Sequence, residues 1–231
     1  MPSPATELIV ALDVDTLDEA REIVRRLGPQ GVWYKVGKQL FTRHGPDSVR
    51  FLKDAGKKVF LDLKFHDIPN TVAQAVRAAG AIGADLTNVH ASGGPAMLTA
   101  AAQAAAEARV MLVAVTVLTS LGNNDLQAIG FPPDTAGQAL RLAGLAKAAG
   151  CQGVVCSAHE IAAMRAACGS DFALVVPGIR PAGSAHDDQK RVMTPAAAAA
   201  AGARFIVVGR PVTQAADPPA AAAAIRADLA G

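Results

Sequence analysis

The chain has 231 residues, 51% of them hydrophobic, and a formal net charge of +2. That composition can fill a large core, and the lack of a basic block argues against a nucleic-acid surface. No apolar run approaches the roughly 18 residues of a membrane span, and Met1-Pro-Ser-Pro-Ala-Thr-Glu7 lacks the basic and apolar regions of a signal peptide.

Cys151, Cys156 and Cys168 are odd in number and have no C-x-x-C spacing, which predicts reduced thiols in a cytoplasmic protein. Leu8-Ile-Val-Ala-Leu-Asp13 is an apolar run ending in an acid. Thr16 can cap the helix that follows, with Glu19 as capping-box partner, and that helix runs to about Leu27 before Gly28-Pro29. Val32-Trp-Tyr-Lys-Val-Gly37 predicts a second strand with Lys35 inside it. A helix with Val49, Phe51 and Leu52 comes next and stops near Gly56.

The third strand holds Val59, Phe60, Leu61 and Leu63, all suited to β structure. Alternation then places Asp62 and Lys64 on one face. Opposite charges inside a short apolar strand are costly unless they pair or do chemistry. Asp67 completes an Asp-x-Lys-x-x-Asp spacing, and Pro69 sits near a helix start, where a missing N–H does little harm. Taken alone, the motif can also be a structural ion pair.

A helix from about Ile68 to Ala79 is expected to end at Gly80, followed by a fourth strand over Ala84–His90 and an Ala-rich helix from about Pro95 to Ala108. Val110–Leu118 is a continuous apolar run, as in a parallel strand buried on both faces, and leads into Thr119-Ser120. Helical stretches then alternate with strands at Gly153–Ser157, Ala173–Pro177 and Arg204–Gly209, and a last helix starts near Pro218.

Strands alternating with helices mean parallel βαβ units, and eight of them in a chain of this length predict a (β/α)8 TIM barrel. Without a Pro/Ser-rich linker, residues 1–231 read as one domain. The alternative, a doubly wound open sheet, is weakened by the lack of G-x-G-x-x-G after the first strand.

On a barrel, the C-terminal strand ends share one mouth. Asp13, Lys35, Asp62, Lys64, Asp67, Ser120, Arg180 and Arg210 all fall at or just after such ends. Convergent polar groups in a pocket point to a functional site. After strand 7, the Gly/Pro/Ser-rich segment from Pro177 to Arg191 has the length and make-up of a lid. After strand 8, Gly209 permits close approach and Arg210 offers a fork for phosphate.

The five histidines show no metal-ligand spacing, Cys156 has no evident activating base, and Ser120 and Ser157 lie in no nucleophile elbow. No metal site is expected. His90, at a strand end, reads as a hydrogen-bonded structural histidine.

Asp62-Leu-Lys-Phe-His-Asp-Ile-Pro-Asn-Thr71 resembles the signature of the orotidine 5'-phosphate decarboxylase family. Ala11-Leu-Asp13, Lys35-Val-Gly37, Val115–Ser120, Pro177–Ser184, Asp188-Gln189 and Val208-Gly-Arg210 match in order, over nearly the whole chain, as in the bacterial single-domain form. The resemblance implies cofactor-free conversion of orotidine 5'-phosphate to uridine 5'-phosphate in pyrimidine synthesis. It also implies roles. Lys64 protonates C6 as carbon dioxide leaves, Asp62 lies against the substrate carboxylate, and Lys35 holds the charge network. Asp13 and Thr71 bind ribose hydroxyls; Ser120, with Thr119, contacts the pyrimidine; Gln189, Gly209 and Arg210 take the phosphate, with Arg180 beside them. Asp67 reaches into the neighbouring subunit's site, which implies a homodimer with shared active sites.

Two rivals remain at this point. A magnesium-using sugar-phosphate decarboxylase of the same superfamily would carry an acid where Lys35 stands. A non-catalytic phosphate-binding barrel would not need Lys64 between two acids.

Overall fold

The computed structural model describes residues 5–181 and 193–230. Gln189 and most of the expected lid lie outside the described residues.

Eight parallel strands pair in chain order and close into a barrel. They are β1 (Glu7–Ala11), β2 (Trp33–Gly37), β3 (Lys58–Phe65), β4 (Leu86–His90), β5 (Met111–Val115), β6 (Gly153–Val155), β7 (Ala173–Pro177) and β8 (Phe205–Val208). The ring closes where β8 meets β1, with Ile206 beside Leu8 and Val208 beside Val10. Around it lie α1 (Leu17–Leu27), α2 (Lys38–His44), α3 (Asp47–Asp54), α4 (Pro69–Ala81), α5 (Gly94–Ala108), α6 (Asn123–Ala128), α7 (Thr135–Ala148), α8 (Ile161–Cys168), α9 (Pro195–Ala200), α10 (Arg210–Thr213) and α11 (Pro218–Ala230). This is the (β/α)8 barrel expected from the alternation. Among the described residues, no helix is long and apolar enough to cross a membrane.

Period-two alternation divides the core in two. Leu8, Val10, Tyr34, Val36, Val59 and Leu61 face outward and pack with the helices. Ile9, Ala11, Trp33, Phe60, Leu86, Val113, Val175, Phe205 and Val207 fill the barrel interior. At its floor the Trp33 ring meets Phe205 edge-on at 5.2 Å, and its Nε1 donates to Glu7 Oε2 at 2.8 Å. The floor is thus plugged by apolar bulk. The same inward faces, continued toward the C-terminal ends, carry Asp13, Lys35, Asp62 and Asn88 into the mouth.

Local signals account for most boundaries. Glu19 N donates to Thr16 Oγ1 at 3.2 Å and Thr16 N donates to Glu19 Oε2 at 2.9 Å, a capping box worth about 0.5–2 kcal/mol. Three boundaries differ from expectation. Lys38–His44 forms a helix of its own before α3. α4 does not stop at Gly80 but runs to Ala81. Gly80 lies where α4 meets the end of α5: a Cβ there would sit 2.7 Å from Ala108 Cβ and 3.0 Å from its carbonyl oxygen. Its small size is for packing. Finally, β5 ends at Val115 although the apolar run continues to Leu118, because its neighbours give out there: Val115 pairs with His90, the last residue of β4, and with Val155, the last of β6.

Candidate active site

The site begins with an irregularity in β3. Leu61 pairs with Thr87 but Phe65 with Val89, so β3 runs four residues while β4 runs two. The surplus is a bulge, a device that re-aims a side chain at a barrel rim. Within it Lys64 stands at φ 55°; among the described residues, Arg109 is the other non-glycine with positive φ. A left-handed lysine is strained by about 1–3 kcal/mol and persists where its surroundings hold it. Here they do. The Lys64 backbone N–H donates to Asn88 Oδ1 at 2.8 Å, and its ammonium donates to Asp62 Oδ1 at 2.5 Å. Alternation nonetheless holds: Leu63 and Phe65 pack outward with the helices, while Lys64 lines the mouth with Asp62, as the spacing predicts.

Asp62 is the hub of a chain of alternating charge. Its Oδ1 also accepts from Asn88 Nδ2 at 2.7 Å, and its Oδ2 lies 3.6 Å from Lys35 Nζ. Lys35 Nζ in turn donates to Asp13 Oδ1 at 2.8 Å. Burial alone would raise the Asp62 pKa, but the charges of Lys35 and Lys64, with the hydrogen bonds from Lys64 and Asn88, outweigh it and hold the carboxyl below its ordinary value. Lys35 keeps its place because position 37 has no side chain: a Cβ on Gly37 would lie 2.9 Å from Lys35 Nζ and 3.2 Å from Asp13 Oδ1. Nearby, His90 has its pKa lowered by burial first, then by His66, Lys38 and Lys64, with Asp62 opposing. Its ring stands 5.5 Å from that of His66.

Two cavities adjoin this chain and share Lys35, Pro177 and Val207. One, a slot of about 190 Å³, is walled by Phe60, Val115, Val117, Val155, Cys156 and Val175, with Asp62, Lys64 and Thr119 as polar members. The other, of about 330 Å³, is lined by Asp13, Arg180, Gly209 and Arg210. Arg180 is 9% exposed, and its Nε is buried with no partner among the described residues. A buried guanidinium N–H without a partner is costly, and an anion in this cavity would supply one. A larger cavity of about 620 Å³ near Thr6, Asp171 and Arg204 holds no such convergence. Its Arg165 already donates to the carbonyls of Gly169, Ser170, Phe172 and Gly202.

The structure thus brings together Asp13, Lys35, Asp62, Lys64, Thr119, Arg180, Gly209 and Arg210. It leaves Asp67, Thr71 and Ser120 exposed and outside both cavity walls. Asp67 makes no ion pair among the described residues; its Oδ1 accepts from the Ile68 N–H at 2.6 Å. Lys64 accordingly has one carboxylate partner in this chain, where the motif predicts two. Sequence reasoning does not single out Asn88. Its signal is there: a fully buried amide on the inward face of an apolar strand, two residues before His90. Cys156 is buried in the slot wall, and burial pushes its pKa up, as suits an inert thiol.

Comparison with known proteins places this geometry. Residues 6–225 match the family model described as orotidine 5'-phosphate decarboxylase / HUMPS family. An orotidine 5'-phosphate decarboxylase from Chromohalobacter salexigens is 53% identical, over 99% of this chain and 98% of that protein. One from Saccharophagus degradans is 49% identical, over 100% of this chain and 98% of that protein. The crystal structure of the Lactobacillus acidophilus orotidine 5'-phosphate decarboxylase superposes with a TM-score of 0.86 at 40% identity, over 97% of this chain and 99% of that one. On this match of sequence and fold, the chain belongs to the orotidine 5'-phosphate decarboxylase / HUMPS family.

Proposed function

We infer that this chain decarboxylates orotidine 5'-phosphate to uridine 5'-phosphate in pyrimidine nucleotide synthesis. The observation that carries the inference is the Lys35–Asp62–Lys64 run of charge at the junction of an apolar slot and an arginine-lined cavity. The pyrimidine occupies the slot beside Thr119 and Ser120. The phosphate occupies the other cavity, taken by Gln189, Gly209 and Arg210 with Arg180 beside them. Asp13 and Thr71 take the ribose hydroxyls between, and Lys35 holds the charge network.

The substrate carboxylate then lies against Asp62. As the bond from C6 to the carboxylate breaks, carbon dioxide leaves and the electron pair stays on C6. The Lys64 ammonium stabilises that charge and gives C6 its proton, which leaves Lys64 neutral until solvent recharges it. Repulsion between Asp62 and the substrate carboxylate disappears with the carbon dioxide. Grip on the remote phosphate supplies binding energy that lowers the barrier at the ring.

The reaction needs no metal or organic cofactor. Lys35 Nζ sits between Asp13 and Asp62, the two carboxylates that a divalent cation would otherwise bridge. This favours the proton-transfer reading over a magnesium-dependent one. The working unit is a cytoplasmic homodimer in which Asp67 serves the partner's site. Its exposed carboxylate and the 68%-exposed Ile68 beside it support that placement.

The test is direct. Orotidine 5'-phosphate is supplied with a chelator and the loss of its ultraviolet absorbance is followed. Turnover unchanged by the chelator is expected. No turnover, or turnover that magnesium must restore, would contradict the reading.

A further inference from the structure

We propose that Asn88 is a positioning residue for the decarboxylation, acting through both Asp62 and Lys64; the proposal rests on the function inferred above. Its amide is used at both ends. Nδ2 donates to Asp62 Oδ1 at 2.7 Å, and Oδ1 accepts the Lys64 backbone N–H at 2.8 Å. The reverse orientation would set an oxygen against a carboxylate and an NH2 against an N–H, so the neighbours dictate the direction. Asn88 is fully buried, so bulk water cannot substitute for it.

The two bonds do separate things. The bulge takes the Lys64 N–H out of the β3–β4 ladder, and Asn88 Oδ1 receives it, which holds the left-handed turn that aims the ammonium. The Nδ2 bond fixes the Asp62 carboxylate on the side away from Lys35. One side chain thereby sets the spacing between the proton donor and the carboxylate that faces the substrate. A site loosened by about 1 Å can lose on the order of a hundredfold in rate.

Two variants test this. Asn88→Ala removes both bonds. Asn88→Asp keeps the shape and the acceptor but loses the donor while its carboxyl is ionised. On its β3 side position 88 faces Asp62 and Lys64, with Lys35 beyond Asp62. On its β5 side it is in register with Val113, which does not ionise, and His90 lies two residues on. Near pH 8, both variants are expected to lose about a hundredfold in kcat for orotidine 5'-phosphate, with KM and uridine 5'-phosphate affinity within about fivefold. For Asn88→Asp, the introduced carboxyl regains a donor when protonated. Its kcat relative to wild type should therefore rise by about tenfold as pH falls toward 5, and that of Asn88→Ala should not.

If both variants keep kcat within about threefold, or if the loss falls on KM and nucleotide affinity instead, the proposal is overturned. It is also overturned if neither folds well enough to bind uridine 5'-phosphate, because Asn88 is then a residue of folding. If Asn88→Ala alone fails to fold, the pH response of the isosteric Asn88→Asp decides. Lys64→Ala is run alongside. Should it stay active, the inferred function itself fails; should it be inactive while both Asn88 variants work, only this proposal fails.

Discussion

The Lys64 ammonium donates to Asp62 Oδ1 at 2.5 Å, two residues earlier on the same strand, and Lys64 itself stands in the left-handed region at φ 55°. The bulge turns a lysine at the rim onto the carboxylate below it, and Lys35 closes on the same carboxylate from β2 at 3.6 Å.

Gly37→Ala should damage activity and spare the fold. The new methyl group would meet Lys35 Nζ at 2.9 Å, the movable end of a flexible side chain. Lys35 can retreat, but then leaves Asp13 and Asp62. A loss of about ten- to a hundredfold in kcat is expected, with thermal stability nearly unchanged. Wild-type kcat in this variant would show that Lys35 has no positional role.

Asp62 carries a pH signature. Its folded pKa lies below the ordinary 3.8. A carboxyl with a depressed folded pKa adds stability that is fully present above its unfolded pKa and is lost as pH falls through the folded one. The stability gap between wild type and Asp62→Asn should thus stay flat from about pH 8 to 5 in denaturant titrations. Below about 3.8 it should shift by up to about 1.4 kcal/mol per pH unit against wild type. A gap already changing between pH 7 and 5 would mean that burial outweighs the two lysines.

Much of the fold was legible because it rests on local rules. The period of strand and helix runs and the Thr16–Glu19 capping box are found in the structure, and of the polar residues at strand ends Asp13, Lys35, Asp62, Lys64, Arg180 and Arg210 line the two cavities while Asp67 and Ser120 do not. What escaped depends on neighbours. Gly80 reads as a helix stop, yet its reason is Ala108 across the α4–α5 contact. The apolar run from Val110 to Leu118 could not reveal where β5 would lose its partners, and the Lys64 bulge exists only relative to β4. The part Asn88 plays likewise depends on the bulge, which leaves the Lys64 N–H to its side chain while its amide also donates to Asp62.

Arg210→Ala should lower kcat/KM for orotidine 5'-phosphate by at least about a hundredfold, since a charge-assisted contact to phosphate in a closed site is lost. Orotidine, which lacks the phosphate, should be nearly indifferent. Equal losses for nucleotide and nucleoside would make Arg210 a support of the fold.

The shared site can be tested by complementation. Lys64→Ala and Asp67→Asn chains are each expected to be nearly inactive. In a mixed dimer, one site collects both lesions and the other has an intact Lys64 and an intact partner-supplied Asp67. Half the dimers in an equal random mixture are mixed, so activity should return to about a quarter of wild type. No recovery, under conditions where subunits demonstrably exchange, would place Asp67 in its own barrel's site.

The central claim is that the Lys64 ammonium delivers the proton and the charge stabilisation at C6. The measurement that meets it head-on is turnover of orotidine 5'-phosphate by Lys64→Ala, beside titration with uridine 5'-phosphate. The expected result is activity below about 1% of wild type with uridine 5'-phosphate affinity within about tenfold, a loss confined to the transition state. Activity above that level in a variant that still binds the nucleotide would take Lys64 out of the reaction and contradict the account.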